Sequence, residues 1–205
     1  PFAYLGVGAV WMCFLFFLAS TLGFGALQNF APSVLKSVYG LSLPAAASAL
    51  TSYLLAGAAG IALGGFLAAR YQAHERLVAV LLVAAALLAL ALATGALPPL
   101  TVTPLMALVG LFTGSATPSR DLLVRRAAME RFGQRSFGRI YGFVYSGLDV
   151  GLSVAPILFG RLMDRGMFGG VLLGVALFQG LAVLAALRVG QARIAAQVAP
   201  APEPP

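Results

Sequence analysis

Polar and apolar positions along this chain divide it into long unbroken apolar runs separated by short charged breaks. No Lys, Arg, Asp or Glu occurs before Lys36, between Lys36 and Arg70, or between Arg76 and Arg120. Crossing a bilayer takes about 20 apolar residues at 1.5 Å rise each. The gap from Leu77 to Ser119 is about twice that and has Gly95, Pro98 and Pro99 at its middle, so it predicts two spans joined by a tight turn. Six spans follow: Ala3 to Phe30, Pro44 to Ala69, Leu77 to Ala96, Leu100 to Pro118, Phe137 to Phe159 and Phe168 to Leu187. None of these runs alternates polar with apolar residues, as a barrel strand would over about ten residues, so the spans are helices. The expected fold is an all-α polytopic membrane protein. Residues 1–190 form its transmembrane domain, and the Ala- and Pro-rich segment from Gln191 to Pro205 is expected to be a disordered cytoplasmic tail.

Composition sharpens this reading. Hydrophobic residues make up 60% of the chain and charged residues 9%, against roughly 25% charged in an ordinary soluble domain. The net charge of +7 would suggest nucleic acid in a soluble protein. Here the arginines sit between spans, so topology accounts for them and no nucleic-acid partner is expected. With an even number of spans both ends share a side, which holds Arg70, Arg76, Arg120, Arg125, Arg126, Arg131, Arg135, Arg139, Arg188 and Arg193. The opposite side holds only Lys36, Arg161 and Arg165. By the positive-inside rule the termini are cytoplasmic, in a cell inner membrane. The basic stretch from Arg120 to Arg139 would also attract anionic membrane lipid. The first run is too long for a signal-peptide core and lacks a basic leader, so it is read as a retained helix. Cys13 lies alone among apolar neighbours and packs as a small hydrophobe.

A faint repeat runs through the chain. Gly65-Phe66-Leu67-Ala68-Ala69-Arg70 closes the second span, and Gly160-Arg161-Leu162-Met163-Asp164-Arg165 closes the fifth. Ala31-Pro32-Ser33 and Thr117-Pro118-Ser119 end the first and fourth. Because three spans separate the copies, they must cross the membrane in opposite directions. That predicts two inverted three-helix repeats, an arrangement common in secondary transporters.

The segment GGFLAARYQAHER, Gly64 to Arg76, resembles the loop motif of the major facilitator superfamily, in which a Gly-rich helix end runs into G-x-L-A-D-R and basic residues. The stretch from Pro118 to Asp164, with PSRDLLVRR and GRIYGFVYSGLDVGLSVAPILFG, is similar to the tenth to twelfth helices of bacterial members. The resemblance implies helices seven to twelve of a twelve-helix transporter, with an N-terminal six-helix half of the same polypeptide as partner. Gly65 and Arg70 would carry over into a cytoplasmic loop motif, together with Arg120 and Asp121 at the cytoplasmic mouth. The motif's Asp falls on Ala69, which puts that carboxylate's part in gating in doubt.

Polar residues inside the spans are unevenly shared. The third span has only Thr94 and the sixth only Gln179, so both are expected to lie outside against lipid, while the other four face a wet interior. Asp149 stands near the middle of its span, where an ionised carboxylate costs about 2.5 to 3.5 kcal/mol on insertion scales. Tyr141, Tyr145 and Asp149 recur four residues apart along one helix face, and a low-dielectric setting favours the neutral carboxyl, so the trio is a candidate site for proton coupling or a cationic substrate. The flanking Gly147 and Gly151 offer another reading, a carboxyl hydrogen-bonded across a packed helix interface. Gln28 and Asn29, near Pro32, mark either a broken helix beside the solute path or the end of the first span.

Enzymatic readings lack their residues. The lone His74 lies in a basic loop, no serine-protease motif occurs, and no His, Glu and Asp cluster could hold a metal, so no catalytic residue, metal or cofactor is expected. The paired N-P-A boxes of water channels are absent too. The expected function is therefore transmembrane movement of a small-molecule solute by alternating access, coupled to protons through Asp149. A six-helix channel or membrane scaffold is the alternative.

Overall fold

A computed structural model of the chain describes residues 8–198, with side chains described outside Ala9, 127–137 and 189–198. Five helices follow one another and no strand occurs among the described residues: α1 (Gly8–Tyr39), α2 (Leu43–Arg70), α3 (His74–Ala93), α4 (Pro99–Asp164) and α5 (Phe168–Val198). Six segments are long and apolar enough to cross a membrane, because α4 supplies two of them, Pro99–Arg126 and Gly138–Asp164. The α4 axis reverses between these two. The hydroxyl of Tyr145 donates to the Asp121 carboxylate at 3.2 Å, although 24 residues of straight helix would hold them about 36 Å apart.

Local chemistry sets several boundaries. At the start of α2 the Ser42 hydroxyl accepts from the Ala45 amide at 3.3 Å, and Pro44 in the first turn forgoes an amide hydrogen that no helix partner would take. The expected turn after the third span forms at Gly95, whose φ of 65° suits a residue without a Cβ. Other boundaries differ from expectation. α1 runs past Phe30 to Tyr39, through Pro32, so Gln28 and Asn29 mark neither a break nor a helix end. The fourth span runs past Pro118 to Arg126, which puts Arg120 and Asp121 inside a membrane helix and not in a loop. α5 continues through Val198, where a disordered tail was expected from Gln191. The Ala-rich run up to Val198 favours helix, and the prolines begin only at Pro200. Residues 199–205 lie outside the described part.

Two glycine seams join the spans. A Cβ added at Gly57 would touch the Gly110 backbone, one at Gly60 would press on the backbone of Leu111, and one at Gly64 would lie 2.8 Å from Ser115 Cα. Residue numbers rise together along both spans, so the second and fourth run parallel. On the other side of the bundle Gly147 meets Phe14, Gly151 meets Leu18 and Thr21, and Gly25 meets Ala155, so the first and fifth spans also run parallel. The sequence repeat relates these seams. Second-span positions recur 95 residues later and fourth-span positions correspond to those 86 residues earlier, which carries the contact Gly60–Leu111 onto Ala155–Gly25. That contact is the one expected if the pairs formed by spans two and four and by spans five and one share one packing scheme with reversed direction.

The first span is the most buried of the six, and the second and fifth are the least buried. Leu54, Leu55, Ile61 and Phe66 on the second and Val150, Val154 and Ile157 on the fifth point away from the bundle. Buried apolar side chains gather in two clusters, one around Leu35, Met106 and Phe159, the other around Phe16, Phe17, Ile140 and Val144.

Candidate functional site

A cavity of about 240 Å³ lies among the spans, and each of the six contributes to its wall. Phe24, Leu82, Leu148 and Leu152 make its apolar surface. Polar groups come from the first span (Ser20, Thr21), the second (Tyr53), the fourth (Thr113, Thr117, Arg120) and the sixth (Gln179). The threonine hydroxyls spend their protons on their own helices: Thr21 donates to Phe17 O at 2.7 Å, Thr113 to Val109 O and Gly110 O, and Thr117 to Thr113 O at 3.3 Å. Their oxygens remain acceptors toward the cavity. Ser20 Oγ and Gln179 Oε1 differ, since each is buried with no hydrogen-bond partner among the described residues. Gln179 is only 3% exposed. An unpaired buried polar group costs about 1 to 3 kcal/mol, which water or a solute in the cavity would relieve. Ser115 Oγ and Ser119 Oγ are also buried without a partner among the described residues, but outside the cavity wall.

Arg120 joins this cavity to a second cluster. Its Nε donates to Asp121 Oδ1 at 3.0 Å, and its guanidinium carbon lies 4.7 Å from the Phe17 ring centre, a cation–π distance. Tyr145 holds the other Asp121 oxygen, and its ring lies 4.8 Å from Phe17 and 4.4 Å from Tyr141. The cluster ties the first, fourth and fifth spans together at the Arg120 end of the cavity. Both members of the ion pair are partly shielded, with side-chain exposures of 16% for Arg120 and 33% for Asp121.

The residues expected to act together are divided. The rings of Tyr141 and Tyr145 meet at a tilt of 33°, but Tyr145 serves Asp121, not Asp149. Asp149 is exposed on the outside of the six-helix unit and does not line the cavity. Helix geometry is the reason. Gly147 and Gly151 pack against α1, and a residue two positions from either points about 160° away from that contact, so the interhelix hydrogen bond envisaged for Asp149 does not form with α1. Gln28 and Asn29 are exposed as well, and Asn29 Nδ2 donates to Gly25 O at 2.8 Å within its own helix. Gly65 is exposed near the end of α2, and Arg70 is its last residue.

Sequence reasoning misses one site residue and one pairing. Gln179 lies on a span expected to face lipid, yet it points inward. The available signal was that it is the only polar residue of its span, and a lone polar group on an apolar helix turns from lipid when it can. The pairing of Asp121 with Tyr145 depends on the reversal within α4 and leaves no local sequence signal. No protein-family model matches this chain, and no curated protein matches it.

Proposed function

We propose that this membrane protein is a secondary active transporter, with the cavity as the seat of a small solute reached alternately from the two sides of the membrane. The observation that carries this reading is the set of buried polar groups at Ser20 and Gln179, set into the wall of a cavity inside six apolar spans. Water or a solute in that cavity would satisfy them, and a scaffold would gain more from apolar residues there.

The six spans act as one half of a twelve-helix bundle, as the resemblance to the major facilitator superfamily implies, with the termini cytoplasmic. The second and fifth spans correspond under the internal repeat, and both present open faces. A second half covering those faces would take Asp149 out of lipid contact and remove a cost of about 2.5 to 3.5 kcal/mol. Asp149 then lies at the interface between halves, where its carboxyl is the candidate for proton coupling.

Counterflow in proteoliposomes containing the full-length protein tests this reading against a channel or scaffold. A carrier takes up labelled solute faster when the vesicles are preloaded with the same unlabelled solute, because each return of the site carries cargo. A channel gives no such acceleration and a scaffold gives no uptake.

A further inference from the structure

We infer that the cavity takes a small organic anion, with its carboxylate on Arg120 and Asp121 as the resident counter-ion that competes for the same guanidinium. The inference rests on the transporter reading only in making the anion the cargo, since binding requires no transport. Among the described residues Arg120 is the one charged residue in the cavity wall, and no acidic side chain lines it. An arginine carries five N–H donors in a planar fork. Asp121 engages Nε, Phe17 covers one face of the plane, and no described residue bonds the far edge. That edge matches a carboxylate in bidentate geometry.

The remaining wall limits what is attached to the carboxylate. Ser20 Oγ can donate to an anion, and Gln179 Oε1 accepts, so a solute hydroxyl or amide N–H suits it. Phe24, Leu82, Leu148 and Leu152 accommodate a short apolar body. At about 240 Å³ the space falls below the roughly 300 to 1,000 Å³ typical of drug-sized ligands, which points to a small acid. Asp121 has both oxygens occupied, by Arg120 and Tyr145, so the incoming carboxylate meets a partly neutralised arginine. Removing the Asp121 charge should therefore strengthen anion binding, the opposite of what loss of a merely structural ion pair would do.

The test is equilibrium binding of lactate, butyrate and benzoate, each against its own amide, to the full-length protein in phosphatidylcholine nanodiscs. At least one acid should bind tenfold or more tightly than its amide. Arg120→Gln should abolish that preference, Arg120→Lys should retain part of it, and Asp121→Asn should tighten acid binding severalfold without changing amide binding. Equal binding of acid and amide, no binding of any of the three acids, or weaker acid binding by folded Asp121→Asn would each overturn the inference. A lipid headgroup could present the same chemistry, so nanodiscs with anionic phosphatidylglycerol form a second arm. Unchanged acid affinity there supports a solute site, and its loss assigns the anion seat to lipid and overturns the inference. Binding without counterflow would leave the anion site standing and remove the transporter; counterflow of a neutral solute unaffected by Arg120→Gln would do the reverse.

Discussion

Replacing Gly64 by alanine should separate the second and fourth spans. The added Cβ would lie 2.8 Å from both Cα and C of Ser115, against an optimum of about 3.5 to 4.0 Å between carbon atoms. Both offending atoms are backbone, so no side chain can swing aside and the helices must part by about 1 Å at that level. Such a gap forfeits a quarter to a half of each affected dispersion contact along the seam, and overpacking of this kind costs about 1 to 3 kcal/mol. Gly142 provides the control, because a Cβ there meets nothing within 4 Å. Gly142→Ala should be neutral or stabilising by about 0.5 to 1 kcal/mol, from helix propensity alone. Thermal unfolding of the full-length protein in one detergent, followed by fluorescence, compares the two. The expected order is Gly64→Ala below wild type and Gly142→Ala at or above it. Equal melting temperatures for the two variants would refute the close seam.

Gln179→Leu should raise unfolding stability by about 1 to 3 kcal/mol, by removing an unpaired buried amide oxygen, while weakening solute binding in the same preparation; a loss of stability would mean that the oxygen already has a partner. Tyr145→Phe should cost less than about 1.5 kcal/mol in a detergent unfolding series, since Asp121 is a third exposed and water can replace the lost hydroxyl. Asp149→Asn should leave folded protein in the membrane and abolish proton flux coupled to the solute, and undiminished flux in a pH-reporting vesicle assay would dismiss Asp149 from coupling. The intact mass of the native protein from membranes should be about twice the 21.1 kDa of this chain, and a mass near 21 kDa would remove the two-halves proposal.

The spans were legible because lipid enforces one rule along the whole chain: backbone groups must pair within the helix and charges must leave. The gaps between arginines therefore read directly as six helices, and the repeat of Gly65 to Arg70 at Gly160 to Arg165 anticipated the matched seams. Helix ends were less legible. Proline at positions 32 and 118 looked like a stop, yet α1 and α4 pass through both, because a membrane helix loses more by exposing backbone than by bending around one missing hydrogen bond. The site was legible by residue type but not by direction. Asp149 drew attention as the charge at mid-span, but its orientation follows from Gly147 and Gly151 taking the opposite face against α1. Arg120 looked like the first residue of a loop, and only the continuation of the fourth span and its reversal bring it to the cavity and Asp121 to Tyr145.

A single thiol at position 113 tests the central claim most directly. Thr113 lines the cavity, and the chain's only cysteine, Cys13, is buried and can be replaced by serine. Full-length Thr113→Cys protein with every native cysteine, Cys13 included, replaced by serine would be exposed to a membrane-impermeant maleimide from one side of sealed vesicles, then from the other, with and without a carboxylate that binds. Alternating access predicts labelling from both sides, with bound solute shielding the thiol from either. Labelling from one side only, or labelling that the solute leaves unchanged, would contradict it.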